Sequence, residues 1–279
     1  MANSPKPSWL QVELPSGEEY FRIRRLVRDC GLHTVCEEAL CPNISDCFSR
    51  GTATFMILGD TCTRDCAYCS VTHGVPEPVD YEEPERVARA VREMKLDYVV
   101  ITSVTRGDLE DGGAEIFART ILEIRRLNPS CKIEVLIPDF QGNEESLRKI
   151  IDAKPHIINH NLEVVRRLYP TARAQGDYDT SLDVLRKIND ITTKSGLMVG
   201  LGETNGEIFE TLGDLYDSGV EIITIGQYLQ PSEEHLPVEK YYTPEEFEHF
   251  KNVAYGIGLK HVESGPLVRS SYHARDYGI

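Results

Sequence analysis

The sequence predicts an α/β chain built around a partial (βα)6 TIM-like barrel over residues 51–260, with an N-terminal extension (1–50) and a C-terminal tail (261–279). Three observations predict it. From about residue 53, short apolar runs rich in Val and Ile alternate with amphipathic helical stretches, the pattern of parallel strands buried on both faces. Six such repeats occur, too few to close an eight-fold barrel, but right-handed crossovers curl six parallel strands into an open one. The first fifty and last dozen residues do not keep this rhythm.

The extension begins with a Pro-bearing extended segment, "KPSWLQVELP", whose Trp9 and neighbouring apolar residues suit an arm packed on the body. A basic helical stretch, "EYFRIRRLVRDCG", and a cysteine-rich loop follow. The strand candidates are 53–59, 97–105, 132–139, 156–162, 196–202 and 221–229, and the helices between and after them are 83–95, 114–127, 146–153, 180–192, 205–219 and 243–258. Thr243 before Pro244, Glu245 and Glu246 is a helix start: proline suits the first turn, and carboxylates suit the positive end of the dipole. Functional residues are expected at the C-terminal ends of the strands.

Acidic residues outnumber basic ones, for a formal net charge of −15. That disfavours broad nucleic-acid binding, which needs positive charge to release phosphate counterions. No stretch approaches the ~20 apolar residues of a membrane span, and the N-terminus lacks an apolar leader. The expectation is a cytoplasmic protein with no nucleic-acid or membrane partner. Seven of its eight cysteines fall between Cys30 and Cys69, and clustered thiols in a reducing compartment point to metal.

Residues 62–69 read "CTRDCAYC", placing Cys62, Cys66 and Cys69 at C-x3-C-x2-C on the loop after the first barrel strand. Three thiolates are one short of a closed structural zinc site, and soft thiolates suit iron–sulfur clusters. A four-iron cube so held keeps one iron open for a small molecule. The other reading is a zinc knuckle that borrows His73 as fourth ligand. A second triplet, Cys36, Cys41 and Cys47 in "CEEALCPNISDCF", has spacing C-x4-C-x5-C.

The first triplet, after the first strand of a partial barrel, resembles the signature of radical S-adenosylmethionine enzymes. The resemblance implies that the open iron chelates the methionyl amino and carboxylate groups and that an electron from the cluster generates a 5′-deoxyadenosyl radical. It also implies that Tyr68, just before the third cysteine, lies against the cofactor. The second triplet and the tail "GPLVRSSYHA" resemble the lipoyl synthase family, as do "VTRGDLEDGGA", "IEVLIPDFQG", "NHNLEVV", "TKSGLMVGLGET" and "TIGQYLQPSEEHLPVE". The likeness runs from about residue 6 to 274, with Gly107 standing where an acidic residue is expected.

Membership would imply two [4Fe–4S] clusters and S-adenosyl-L-methionine as cofactors. Cys36, Cys41 and Cys47 would hold the auxiliary cluster, the sulfur source, with Ser271 as its fourth ligand in preference to Ser270. A hard serine oxygen beside soft thiolates makes its iron the easiest to lose. The implied reaction adds two sulfur atoms at C6 and C8 of a protein-bound octanoyl-lysine. The implied partners are octanoylated lipoyl-carrier domains (2-oxoacid dehydrogenase subunits and the glycine cleavage H protein), an electron donor such as ferredoxin or flavodoxin, and a cluster-repair protein. The rivals are another sulfur-inserting or methylthiolating two-cluster enzyme and a non-catalytic iron–sulfur electron carrier.

Further cofactor contacts are expected from strand ends: Ser103, Thr105 and Asp108 after the second, Asn159 and Asn161 after the fourth, Glu203 in the glycine-rich "GLMVGLGE", and Gln227 with Tyr228 after the sixth. Arg269 suits a carboxylate or the tail. His33, His160 and His273 carry no expected metal role. Cys131 reads as a small buried hydrophobe. Arg22, Arg24, Arg25 and Arg28 form the densest basic run. They read either as a solvated helix face or as a landing site for an acidic carrier domain.

Overall fold

The computed structural model describes residues 6–12, 17–39, 41–44, 47, 54–272 and 274. Ala53 of the first strand candidate, Leu40, Ser45, Asp46 and Phe48 of the second cysteine motif, and His273 lie outside them. The chain divides into two compact units. One comprises Glu13–Asp65 and Ser70–Asn159; the other comprises Met1–Val12, Cys66–Cys69 and His160–Gly278.

The first unit opens with α1 (Glu18–Asp29). Tyr20, Ile23 and Val27 recur at helical spacing and are buried, whereas Phe21 faces out, so one stripe carries the packing. The two-residue strand β1 (His33–Thr34) runs antiparallel to β2 (Thr54–Ile57). Between them α2 (Val35–Glu38) starts where the Thr34 hydroxyl accepts from Glu37 N, as an N-cap does. After α3 (Glu83–Glu93), β3 (Tyr98–Ser103) pairs parallel with β2. After α4 (Ala114–Leu127), β4 (Lys132–Leu136) pairs parallel with β3. After α5 (Glu144–Asp152), β5 (Ile157–Asn159) pairs parallel with β4. The core is built from Phe55, Ile57, Val99, Ile101, Ile133, Val135 and Ile157, each wholly buried. Polar groups share it: Glu134 accepts from the Tyr98 hydroxyl at 2.5 Å and from Asn159 Nδ2 at 3.3 Å, which satisfies its carboxylate inside the sheet.

The second unit contains the short α6 (Tyr169–Ala172) and α7 (Tyr178–Arg186). Strands β6 (Thr192–Val199), β7 (Ile222–Gln227) and β8 (His261–Gly265) pair parallel in that order. They are separated by α8 (Asn205–Asp217) and α9 (Pro244–Ile257), both opened by complete capping boxes, Thr204 with Glu207 and Thr243 with Glu246. Within each unit strand order follows chain order.

All six expected strands are present; among the described residues the first unit pairs β1–β5 in a mixed sheet and the second pairs β6–β8 in parallel. The additions are β1, too short to show a period, and β8, in the region expected to be tail. β8 mixes polar and apolar residues and is only partly buried, so it lacks the continuous apolar run that marks the others. α7 ends at Arg186 and β6 begins at Thr192, because Asp190 adopts φ 61° and turns the chain where a longer helix was expected. Among the described residues no helix is long and apolar enough to cross a membrane.

Candidate active site

Just after β2, Leu58 adopts a left-handed conformation, φ 68°, with its N–H held by Glu83 Oε2 at 2.8 Å. The chain then enters the loop that carries Cys62, Cys66 and Cys69, all half-buried. In the first unit, Cys62 N donates to Thr72 O and its carbonyl accepts from Gly74 N, at 2.8 and 2.9 Å. Its sulfur accepts from two backbone N–H groups, Arg64 at 3.4 Å and Thr105 at 3.3 Å. Thr63 N and Oγ1 both donate to Thr105 O at 2.9 Å, locking the loop to the end of β3. The Ser103 hydroxyl, on β3, is buried with no hydrogen-bond partner. Arg64 makes a two-pronged ion pair with Asp139, both contacts 2.7 Å. Asp139, Thr105, Gly107 and Gln141 help to wall a cleft of about 370 Å³.

In the second unit, Ala67 N donates to Ala172 O and Ala67 O accepts from Leu236 N, each at 3.0 Å. His235 Nε2 lies 2.9 Å from Cys69 O. Burial, Glu163 and the nearby Cys66 and Cys69 push the Tyr68 phenol well above its ordinary value, against the pull of Arg173. Glu163 itself sits at φ 73°. Burial raises its carboxyl, while Arg173 and a hydrogen bond with Asn161 oppose the rise. The Asn161 carbonyl accepts from Arg173 at 3.1 Å, and its side-chain oxygen accepts from Ser270 at 2.9 Å.

The glycine-rich strand end is shaped by close approach. Gly200 has φ 113°, and a Cβ there would lie 2.1 Å from Gln227 Nε2. Glu203 accepts from the N–H groups of Gly200 and Leu201 at 2.5 and 2.9 Å. Gln227 donates to Val199 O, Tyr228 O and Lys240 O and accepts from Tyr242 N. The polar atoms of both side chains are thus engaged with backbone, which holds the turn. On β7, a Cβ at Gly226 would lie 2.1 Å from Val268 O, so the tail backbone rests directly on the strand.

Cys36 is buried on α2, and the chain turns back so that Cys41 N donates to Cys36 O at 3.1 Å. Burial, foremost, and the neighbouring Cys41 and Cys47 push the Cys36 thiol up, so these three sulfurs are electrostatic neighbours. Among the described residues no three Cys, His, Asp or Glu side chains stand at metal-ligating geometry. Ser271 is half-buried, and its carbonyl accepts from Ala274 N at 3.4 Å. Arg269 donates to Val268 O. Asp108 pairs with Arg106 at 2.8 Å. Cys131 is buried, its thiol pushed up to about 12 by desolvation. Arg24 and Arg28 both reach Glu37, at 2.9 and 3.7 Å, while Arg22, Arg25 and Arg28 are exposed.

The radical SAM superfamily matches residues 56–215, and the N-terminal domain of lipoyl synthase matches residues 3–41. Lipoyl synthase of Koribacter versatilis is 53% identical, covering 98% of this chain and 91% of that protein. That of Caldicellulosiruptor saccharolyticus is 52% identical, covering 99% and 98%.

The chain belongs to the lipoyl synthase family.

It is therefore a radical S-adenosylmethionine sulfurtransferase that works with two [4Fe–4S] clusters. Solved structures agree on the fold. Methylornithine synthase superimposes with a TM-score of 0.55 at 12% identity, over 95% of this chain and 85% of that one. SuiB of Streptococcus suis bound to its precursor peptide gives 0.60 at 10% identity, over 80% and 52%.

The residues of this lipoyl synthase family member fit their cofactors. Half-buried thiols with N–H donors on the Cys62 sulfur suit a cluster, and the buried Ser103 hydroxyl is left without a protein partner. Sequence reasoning missed Glu163, Arg173, Arg64 and Asp139. Glu163, Arg64 and Asp139 lie inside segments quoted above, but only the fold reveals which charges meet in the interior.

Proposed function

We propose that this protein inserts two sulfur atoms, at C6 and C8, into a protein-bound octanoyl-lysine to form the lipoyl group. The pair of cysteine triplets carries this reading: Cys62, Cys66 and Cys69 on the loop after β2, and Cys36, Cys41 and Cys47 in the extension. When bound, S-adenosylmethionine and the two clusters supply the radical that breaks unactivated C–H bonds and the sulfide that replaces hydrogen.

The chain's own residues bind, orient and shield. Cys62, Cys66 and Cys69 would hold the cluster that binds the methionyl group. Tyr68, Ser103, Thr105, Asn161, Glu203 and Gln227 would contribute to binding the cofactor, the last two by fixing the glycine turn. Cys36, Cys41 and Cys47 hold the auxiliary cluster with Ser271. Support for Ser271 over Ser270 comes from the second unit, where the Ser270 hydroxyl donates to Asn161. In this division of labour residues 1–50 and 261–279 carry the sulfur-donating group, and 51–260 the radical chemistry.

The exposed arginines of α1 steer acidic octanoylated carrier domains, namely 2-oxoacid dehydrogenase subunits and the glycine cleavage H protein. Ferredoxin or flavodoxin supplies electrons and a repair protein rebuilds the auxiliary cluster. The setting is the reducing cytoplasm, where free thiols and clusters persist.

The test is anaerobic turnover of an octanoyl-lysine peptide with mass analysis. A product heavier by two sulfurs is expected. Cleavage of S-adenosylmethionine with no sulfur gained by the peptide, even with intact clusters, would defeat the proposal.

A further inference from the structure

We propose that the buried Arg64–Asp139 ion pair sets the electrostatic environment, and hence the reduction potential, of the cluster on the Cys62 loop. This rests on the reading that Cys62, Cys66 and Cys69 hold that cluster. Arg64 lies between the first two of these cysteines, and its own N–H points at the Cys62 sulfur. Its guanidinium grips Asp139 with two 2.7 Å bonds, and the two side chains are only 9% and 2% exposed. Salt and water do not screen a pair so enclosed.

The fold gives up backbone comfort to keep the carboxylate there. Asp139 Oδ1 also accepts from Gln141 N at 2.9 Å, across consecutive left-handed residues, Phe140 at φ 46° and Gln141 at φ 54°. Non-glycine residues seldom adopt that conformation without surrounding constraint. Stability alone does not call for this arrangement, because a well-packed apolar pair serves as well as a buried ion pair. The pair instead supplies a permanent cation beside a group whose charge changes by one electron, and an anion that balances it. Nearby charge and hydrogen bonds to sulfur tune cluster potentials.

Redox titration of the reconstituted enzyme, followed by electron paramagnetic resonance, tests this on the reduced-cluster signal that responds to S-adenosylmethionine. Asp139→Asn leaves Arg64 unbalanced. Its midpoint is expected to be more positive than the parent's at equal iron and sulfide content. The double variant Arg64→Gln/Asp139→Asn removes both charges and is expected to return toward the parent value. A midpoint unmoved by Asp139→Asn, or a double variant displaced as far as the single one, overturns the inference. If Asp139→Asn takes up no cluster on this loop, the double variant, free of a lone buried charge, is expected to recover it. Failure of both variants shows that the pair serves shape alone and overturns the inference. A parent enzyme with no responsive signal removes the reading of the cysteine loop and this inference together. A responsive parent with unmoved variants removes this inference only.

Discussion

At the scale of single residues, two cysteines that look alike in the sequence are expected to fail differently. Cys62→Ala should abolish reductive cleavage of S-adenosylmethionine. Cys41→Ala should keep abortive cleavage, read as 5′-deoxyadenosine, and yield no sulfurated peptide. Lipoyl product from Cys41→Ala would break the two-cluster assignment. Ser103→Ala separates binding from folding. The hydroxyl is buried and unpartnered, so its removal should leave the melting temperature of the cofactor-free protein unchanged or higher. Calorimetry should show S-adenosylmethionine bound about tenfold more weakly, the loss of one hydrogen bond of about 1–1.5 kcal/mol. Thiol spacing and strand-end position are sequence properties, so candidates such as these could be named from the sequence. Glu163 and Arg173 were not, since their meaning comes from burial side by side near Tyr68.

At the scale of elements, α8 shows how local chemistry sets a pH dependence. Glu207 closes the capping box and pairs with Arg167 at 2.6 Å. The Arg167 hydrogen bond, with the Thr204 N–H, lowers its carboxyl from 4.5 to about 2. A depressed carboxylate contributes stability that is present above its unfolded value and disappears as pH falls through the folded one. Glu207→Gln should therefore cost stability at neutral pH and flatten the fall between about pH 4.5 and about 2 in denaturant titrations. The turn after β6 is less forgiving. Gly200→Ala meets Gln227 Nε2 at 2.1 Å and Lys240 O at 2.7 Å, at φ 113°. A loss of about 2–4 kcal/mol in urea unfolding is expected, the range for strain added to a packed site. Elements were legible where an apolar run or a cap announced them, as at α9 with Thr243 and Pro244. β8 was not, because "HVESG" takes its extended form from pairing with β7 rather than from its own pattern.

At the scale of the whole molecule, anaerobic reconstitution should load about eight irons and eight acid-labile sulfides per chain, the sum of two four-iron cubes. The formal charge of −15 repels acidic partners in general, so the exposed arginines of α1 matter most at low salt. The apparent second-order rate with a carrier-domain substrate should fall as ionic strength rises, and Arg25→Glu should lower it further with little change in kcat. The general architecture could be read in advance because repeated strand–helix alternation is a property of the whole sequence. The contact of the tail with β7 could not, because it depends on one missing side chain. At Gly226 only a hydrogen atom separates the strand from the Val268 carbonyl. A mutational screen would therefore mislead at this position. Gly226→Ala would be filed as a core defect, yet its phenotype should copy a deletion of the last dozen residues: radical formation without sulfur delivery.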